Sequence, residues 1–417
     1  MSDSEVTFVH KRRAVAPEDL PLGSLHVVVF GPGHGEAVLV QMPDGEVGVV
    51  DGCVDPQPDS SKRDPVSELV DALRVERLLF ACLTHPHQDH FLGFDKLITR
   101  LRPKHLWWSG TPEAKFLSYY QEYLKKKGRT GVDPGEEPTG DRLEKLVKAI
   151  NALADDKSGV EPHTRAVYLQ DWTLLLRHPG PEGEVKVEGI LPSTTGIRAA
   201  EADAALVLRE GDVENKKQRF NPNRISGALL ISWGETRVVL GGDAICEGDM
   251  HAGWDGLPHT LDKVHMIKVP HHASPGAHSE KLWKRMRPDL AVVTCVKGAT
   301  GAQPPRPEML KTLLETSCDL ALTARPSWWD ASIGHNLRAE PEMGPKDAEA
   351  KRSGDLALPK TAKFAPASDK RENAVLVRLD SHGRIVRVQL HGAARRLHLR
   401  AGGAATPVGA PAAATSA

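Results

Sequence analysis

The chain has 417 residues and 40% hydrophobic content, enough to bury one large core or two smaller ones. Its 54 Lys and Arg against 55 Asp and Glu leave a net charge of -1, which excludes a global basic field of the kind that draws nucleic acid or an anionic membrane. Five cysteines (Cys53, Cys82, Cys246, Cys295 and Cys318) with no C-x-x-C pair fit reduced thiols; there is no basic-then-apolar leader and no run of membrane-helix length, so a cytoplasmic chain without a membrane partner is expected.

Leu25–Phe30 and Ala37–Gln41 read as two strands joined by the turn Gly31-Pro32-Gly33-His34-Gly35-Glu36, in which His34 is expected to be a solvated turn histidine. Gly45–Asp51 adds a strand, and Asp64–Arg74 carries Val66, Leu69, Val70 and Leu73 at helical spacing. The run Leu78–Thr84 has the length of a covered strand and leads directly into His85-Pro86-His87-Gln88-Asp89-His90. Three imidazoles and a carboxylate within so few residues make the donor set that Zn²⁺ or Mn²⁺ prefers. His85 and His87 project to one side of an extended chain while Asp89 and His90 follow a turn, a pattern that can serve one or two adjacent ions. A helix over Phe94–Leu101 and a strand over His105–Trp108 come next; Trp107 and Trp108 suit a pocket wall or a core equally. Residues Thr111–Asp156 are helical in pattern, with helices over Glu113–Lys127 and Asp141–Ala154 joined by the Gly/Pro-rich Gly128–Gly140. Lys125, Lys126, Lys127 and Arg129 form the tight basic run near the motif, a solvated helix end by default and a nucleic-acid contact as the sharper reading.

Trp172–Leu176 and Val185–Leu191 read as strands that begin a second sheet. Ala228–Trp233 and Thr236–Leu240 form a hairpin across Gly234-Glu235, delivering Gly241-Gly242-Asp243, where the aspartate is a ligand or a helix N-cap. Val264–Val269 is a strand ending at Pro270-His271-His272-Ala273-Ser274; either imidazole can face inward, and His271 is preferred. Ser279 caps a helix over Glu280–Met286, Leu290–Val296 and Leu320–Thr323 are strands, and Pro307–Glu315 is a helix. Pro341–Asn373 is charged, Pro-rich and too poor in apolar residues to pack. Ala374–Leu379 and Ile385–Leu390 read as a hairpin that closes the second sheet, and Ala401–Ala417 as a disordered, linker-like tail.

In order and type, Val49-Val50-Asp51-Gly52, His85-Pro86-His87-Gln88-Asp89-His90, Gly241-Gly242-Asp243 and Pro270-His271-His272-Ala273-Ser274 resemble the motifs of the metallo-β-lactamase superfamily, and within it the soluble domain of ComEC-type competence proteins and their stand-alone relatives. The resemblance runs from about Leu25 to about His391. It implies an α+β fold, a four-layer αββα sandwich with a helical insertion at about 111–156. The implied organisation is an N-terminal extension over 1–24, one domain over 25–400 with a flexible insertion at about 341–373, and a tail over 401–417. The implied metal ligands are His85, His87, Asp89, His90, Asp243 and one of His271 and His272, with Asp89 and Asp243 in catalysis. Asp51 would hydrogen-bond a ligand histidine from behind, and Asn223, Ser226, Ser274 and Arg306 would border substrate. Two departures stand out: Leu92 replaces a glycine that follows the family's histidine motif, which would crowd the site, and Asn221-Pro222-Asn223-Arg224-Ile225-Ser226 occupies the place of the family's third-motif histidine. His163 and His178 are upstream candidates to replace that histidine, though read as surface residues.

The expected activity is therefore metal-dependent hydrolysis with a metal-activated water and one or two Zn²⁺ or Mn²⁺ ions, phosphodiester or nucleic-acid cleavage first. A small ester, lactone, thioester or cyclic nucleotide is the alternative substrate class. A metal-stabilised sensor or partner module without turnover is the reading from outside enzymology; the sequence leaves a protein partner unknown.

Overall fold

The computed structural model describes residues 6–11, 13–31, 35–53, 64–110, 115–126, 139–155, 163–210, 221–246, 248, 253–257, 261–296, 304–316, 319–324, 326, 337–339 and 373–399. The chain opens with strands β1 (Phe8–Lys11), β2 (Leu25–Phe30), β3 (Ala37–Gln41), β4 (Val47–Val50) and β5 (Gly52–Cys53). Helix α1 (Pro65–Ala72), β6 (Phe80–Leu83), the single turn α2 (Gln88–Phe91), α3 (Phe94–Leu101) and β7 (His105–Trp108) follow. Then come α4 (Lys115–Lys126), α5 (Thr139–Ala154), β8 (Arg165–Tyr168), β9 (Thr173–His178), β10 (Val185–Leu191) and α6 (Thr194–Glu210). The remainder supplies β11 (Ala228–Trp233), β12 (Thr236–Leu240), β13 (Met266–Lys268), α7 (Glu280–Met286), β14 (Leu290–Val293) and α8 (Pro307–Thr316), then β15 (Asp319–Leu322), β16 (Leu337–Ala339), β17 (Ala374–Leu379), β18 (Ile385–His391) and β19 (Arg395–Leu399).

Two sheets result, in the orders β1-β18-β17-β2-β3-β4-β6-β7-β8 and β16-β19-β15-β14-β13-β12-β11-β10-β9. Alternation along each strand builds the layers. Val27, Val29, Val38 and Val40 of the first sheet share a core with Leu229, Ile231, Val238 and Leu240 of the second. The intervening Val28, Phe30 and Leu39 turn the other way, against Val66, Leu97, Leu117 and Leu146 of the helices. On the far side, Leu230, Val239 and Ile267 pack with Leu282, Trp283 and Leu310. The chain is thus an αββα sandwich, and because helices cover both outer faces the central strands are apolar on both sides, which is why β2, β3 and β6 read as unbroken hydrophobic runs. The run β4-β6-β7-β8 is parallel, as is β12-β13-β14-β15, so their carboxyl ends gather along one edge of the sandwich, where open α/β sheets place their sites.

Several expectations are corrected. The hairpin β17–β18 belongs to the first sheet: β17 pairs antiparallel with β2, Val375 opposite Val29. Apart from Arg378, β17 is apolar on both faces, Ala374 and Leu376 in one core and Val375, Val377 and Leu379 in another, so its pattern does not say which sheet receives it. Phe8–Lys11, placed in the extension before Leu25, pairs parallel with β18. Trp107 stacks on Phe80 at 4.7 Å between ring centroids inside the sandwich, and Trp108 lies in the core beneath the helices, so neither lines a cleft. Leu92 likewise turns into that core rather than into the site. Helix α6 and strand β8 were not anticipated; α6 sits among second-sheet strands in sequence but packs Ala200 and Ala204 with the helices of the first. The Pro341–Asn373 insertion, apart from Asn373, and the tail lie outside the described residues, as do His34, Lys127 and Arg129. Among the described residues no helix is long and apolar enough to cross a membrane.

Candidate metal centre

The residues of the H-x-H-x-D-H motif sit where β6 gives way to α2. Beside them, β4 ends at Asp51, which holds φ at 60°, a conformation rare for a residue with a Cβ. Its carboxylate accepts hydrogen bonds from the Thr84 amide (2.7 Å) and hydroxyl (2.6 Å) and from His90 Nδ1 (2.8 Å). That contact commits the Nδ1 proton of His90 and turns the Nε2 lone pair inward. His90 Nε2 is buried with no hydrogen-bond partner, 3.4 Å from Asp243 Oδ1 and 3.9 Å from Asp89 Oδ2.

Asp243 arrives at the end of β12 after Gly241-Gly242. A Cβ at Gly242 would stand 2.4 Å from the Gly227 carbonyl, and its φ of 50° is likewise a glycine conformation. The Asp243 amide donates to Ser226 Oγ (2.9 Å), while Oδ1 accepts from the His271 amide (3.0 Å). Its two oxygens divide: Oδ1 faces His90, and Oδ2 lies 3.6 Å from His85 Nε2. His85 Nε2 in turn is 3.0 Å from His87 Nδ1, and His85 Nδ1 faces the hydroxyls of Thr84 (3.2 Å) and Ser226 (3.4 Å).

The adjacent histidines after β13 are splayed by three successive left-handed residues, His271, His272 and Ala273, with φ of 48°, 51° and 55°. Each such residue costs on the order of 1–3 kcal/mol and persists only where its surroundings fix it. His272 is the inner one: Nδ1 meets Thr294 Oγ1 at 2.8 Å, and Nε2 lies 3.2 Å from Asp89 Oδ2 and 4.0 Å from Asp243 Oδ1. His271, preferred from sequence, points elsewhere. Its Nδ1 meets Ser274 Oγ and its Nε2 accepts from Asn223 Nδ2 at 3.1 Å. The strained turn thus sends consecutive side chains in different directions, and of the two it is the His272 ring that meets Asp89 and Asp243.

Two groups emerge whose ligand atoms converge: His85, His87 and Asp243, all within 4.8 Å of one another, and His90, Asp243 and His272, with Glu36 inside the same limit. Asp89 joins the second group through His272 and His90. Neither His163 nor His178 approaches. The His178 ring is bonded to Asp44 (2.7 Å), and the His163 carbonyl accepts from Arg77. Arg306 reaches the neighbourhood through its main chain, its amide donating to the Ala273 carbonyl at 3.3 Å. Tyr120 of α4, unremarked in the sequence, stands edge-on to His87 with 6.2 Å between ring centroids, which brings the helical insertion beside the first group. Glu36, Lys268 and Thr294 were also missed; a lone lysine inside the apolar β13 was the available signal, since a buried lysine requires a partner.

The electrostatics suit cations. Burial pushes the imidazoles of His85 and His87 below their ordinary range, keeping their lone pairs free. Burial opposes ionisation of Asp243 and Asp89, yet the facing histidines, His90 foremost, hold both carboxylates below the usual range. Burial also opposes charge on His90, but Asp243, Asp89 and Asp51 together raise it well above normal, so in the bare site a proton on His90 takes the place of a positive ion. Imidazole nitrogens, one of them buried and unpartnered, around ionised carboxylates could hold a divalent metal ion.

No family model matches the chain, and no curated protein matches it. Among solved structures it is similar to a variant of CmlA beta-hydroxylase (16% identity, TM-score 0.34, 66% of this chain and 46% of that one). It is also similar to the metallo-beta-lactamase fold protein YhfI from Bacillus subtilis (11%, 0.37, 72% and 96%) and to a diphosphatase from the PhnP family (12%, 0.30, 65% and 86%). The chain thus spans less than half the length of the first of these and most of the other two. The fold assignment stands on the two sheets and on the residues at their strand ends.

Proposed function

We propose that the protein is a metal-dependent hydrolase with two divalent-cation positions sharing Asp243, acting on phosphodiesters. The observation that carries this reading is the division of one carboxylate between two sets of imidazoles, Oδ1 towards His90 and Oδ2 towards His85. His85, His87 and Asp243 would hold one ion, and Asp89, His90, His272 and Asp243 the other. Such ions supply Lewis acidity and an activated water, and a pair of them suits in-line displacement at phosphorus.

The chain's own residues do the rest. Asp51 and Thr84 fix His90 so that its Nε2 lone pair looks inward. Asn223, His271 and Ser274 form a hydrogen-bonded wall beside the first position, with Asn223 Oδ1 buried and unpartnered. With both ring nitrogens of His271 engaged, the donor that this wall offers a substrate oxygen without reorganising is the second N–H of the Asn223 amide. With two imidazoles and one carboxylate, the first position is poorer in nitrogen than a three-histidine site, which shifts preference from Zn²⁺ towards Mn²⁺. The position of Tyr120 over His87 favours the second reading, a compact substrate such as a cyclic nucleotide or small ester. Hydrolysis of bis(p-nitrophenyl) phosphate, of a cyclic nucleotide and of a short single-stranded oligonucleotide, each with Mn²⁺ and with Zn²⁺, separates these readings; no turnover of any of the three would reject the phosphodiesterase.

A further inference from the structure

Glu36 and Lys268 form an ion pair in the interior, 2% and 1% exposed. Such a pair is costly to bury unless its remaining hydrogen-bonding capacity is met. Here it is met by the metal centre's own supports. The Lys268 ammonium also donates to the carbonyl of Gly242, the residue before Asp243, at 3.1 Å. The Thr294 hydroxyl donates to Glu36 Oε2 at 2.6 Å, and Thr294 Oγ1 accepts from His272 Nδ1 at 2.8 Å. The Glu36 amide donates to the Asp89 carbonyl at 3.1 Å, an approach so close that a Cβ on the neighbouring Gly35 would stand 2.0 Å from that oxygen. One residue of the β2–β3 turn therefore reaches the supports of Asp89, Asp243 and His272 together.

By proximity Glu36 could be taken for a ligand, since it lies within 4.8 Å of the ligand atoms of His90, Asp243 and His272. The ring atoms facing it argue otherwise. They are Nδ1 of His272 at 3.3 Å and Nδ1 of His90 at 3.9 Å, and those nitrogens are committed to Thr294 and Asp51. Glu36 stands behind the imidazoles, not in front of them.

We infer that Glu36 is a positioning residue dedicated to the second cation position, acting through Thr294 on His272. Resting on the two-cation reading above, the inference adds a residue and a division of labour between the two positions. The chain of donors runs from His272 Nδ1–H to Thr294 Oγ1 and from Thr294 O–H to Glu36 Oε2, whose partner oxygen is held by Lys268. With that relay in place His272 keeps its proton on Nδ1 and its Nε2 lone pair towards Asp89 and Asp243. Without it both tautomers become accessible, and the affinity of this position falls by the roughly 10–100-fold typical of a lost outer partner. Among the described residues Glu36 is not grouped with His85 or His87, so the position they share with Asp243 keeps its ion.

The test is Mn²⁺ and Zn²⁺ binding to the full chain by calorimetry with metal content after desalting, and long-range ¹H–¹⁵N spectra that report the His272 tautomer. Glu36→Gln and Thr294→Val are each expected to weaken one of two binding events by about 10–100-fold and leave the other intact, with mixed tautomers at His272. Thr294→Ser, which keeps the hydroxyl, is expected to restore both. Two wild-type binding events in Glu36→Gln and Thr294→Val, or equal weakening of both events in Thr294→Val, would overturn the inference while leaving the two-cation reading standing. Should Glu36→Gln fail to fold, Thr294→Val against Thr294→Ser decides the matter alone. A wild-type chain that binds no divalent ion would instead reject the hydrolase reading and this inference with it.

Discussion

His85 Nε2 and His87 Nδ1 face each other at 3.0 Å, the first ring buried and the second partly so, with Asp243 Oδ2 3.6 Å from the former. Two ring nitrogens this close either share a proton or share a cation, and burial disfavours protonation of both rings. Beside the Asp243 carboxylate, the pair forms a donor set that could hold a divalent ion.

Asp243→Ala is expected to abolish binding at both positions, whereas Asp89→Ala should weaken one. Both should fold, because neither carboxylate joins the three hydrophobic cores. At free metal about 100 times Kd, each retained site adds about 2.7 kcal/mol of stability, so chelation should lower the melting temperature of the wild type and leave that of Asp243→Ala unchanged. Thermal melts with and without chelator check this.

His272→Ala and His271→Ala should differ in kind. The first removes a ring whose nitrogen lies 3.2 Å from Asp89, and one ion should be lost; the second removes the wall against Asn223, and both ions should stay while KM for a phosphodiester rises. Metal content of the two variants, measured side by side, distinguishes them. Loss of an ion in His271→Ala would return that residue to the ligand set.

The first position, with His85 and His87 as its two imidazoles, makes a separate prediction. His163→Ala and His178→Ala should retain full metal content, since His178 is bonded to Asp44 and the His163 carbonyl accepts from Arg77. Activity should be higher with Mn²⁺ than with Zn²⁺. Loss of one equivalent of Zn²⁺ from either variant would show that an upstream imidazole completes the first position.

His26, on β2 away from the centre, is fully buried with both ring nitrogens unpartnered. Burial first, and then Arg378, pushes it down to about 4 from an ordinary value of 6.5. The folded value lies below the unfolded one, so the unfolded chain takes up the proton first and stability falls as pH drops from 6.5 towards 4. The loss is roughly 3 kcal/mol across that window. His26→Leu should remove it, and denaturant unfolding at pH 7 and pH 5 should show the variant gaining on the wild type at the lower pH. An equal difference at both values would contradict the assignment.

The strand-end motifs were legible because short, type-specific runs such as His85-Pro86-His87-Gln88-Asp89-His90 keep their chemistry wherever the chain goes. So were strands whose hydrophobic pattern is local, including β2, β3, β11 and β12. What stayed hidden depended on contacts distant in sequence: Glu36 meets Lys268 across 232 residues and Thr294 across 258, and the lone lysine of β13 signals a partner without saying which. The choice between His271 and His272 turned on three consecutive left-handed residues, a conformation that non-glycine sequence does not announce. The placement of β17 was open for a different reason, its two apolar faces being interchangeable until neighbours are known.

The most direct measurement is the metal content of the purified wild-type chain by mass spectrometry, taken together with turnover of bis(p-nitrophenyl) phosphate before and after chelation. Two divalent ions per chain, hydrolysis that stops on chelation and returns with Mn²⁺, and loss of both ions in Asp243→Ala are the predicted result. A chain that binds no divalent ion even when Mn²⁺ or Zn²⁺ is supplied, or hydrolysis that persists without metal, would contradict the account.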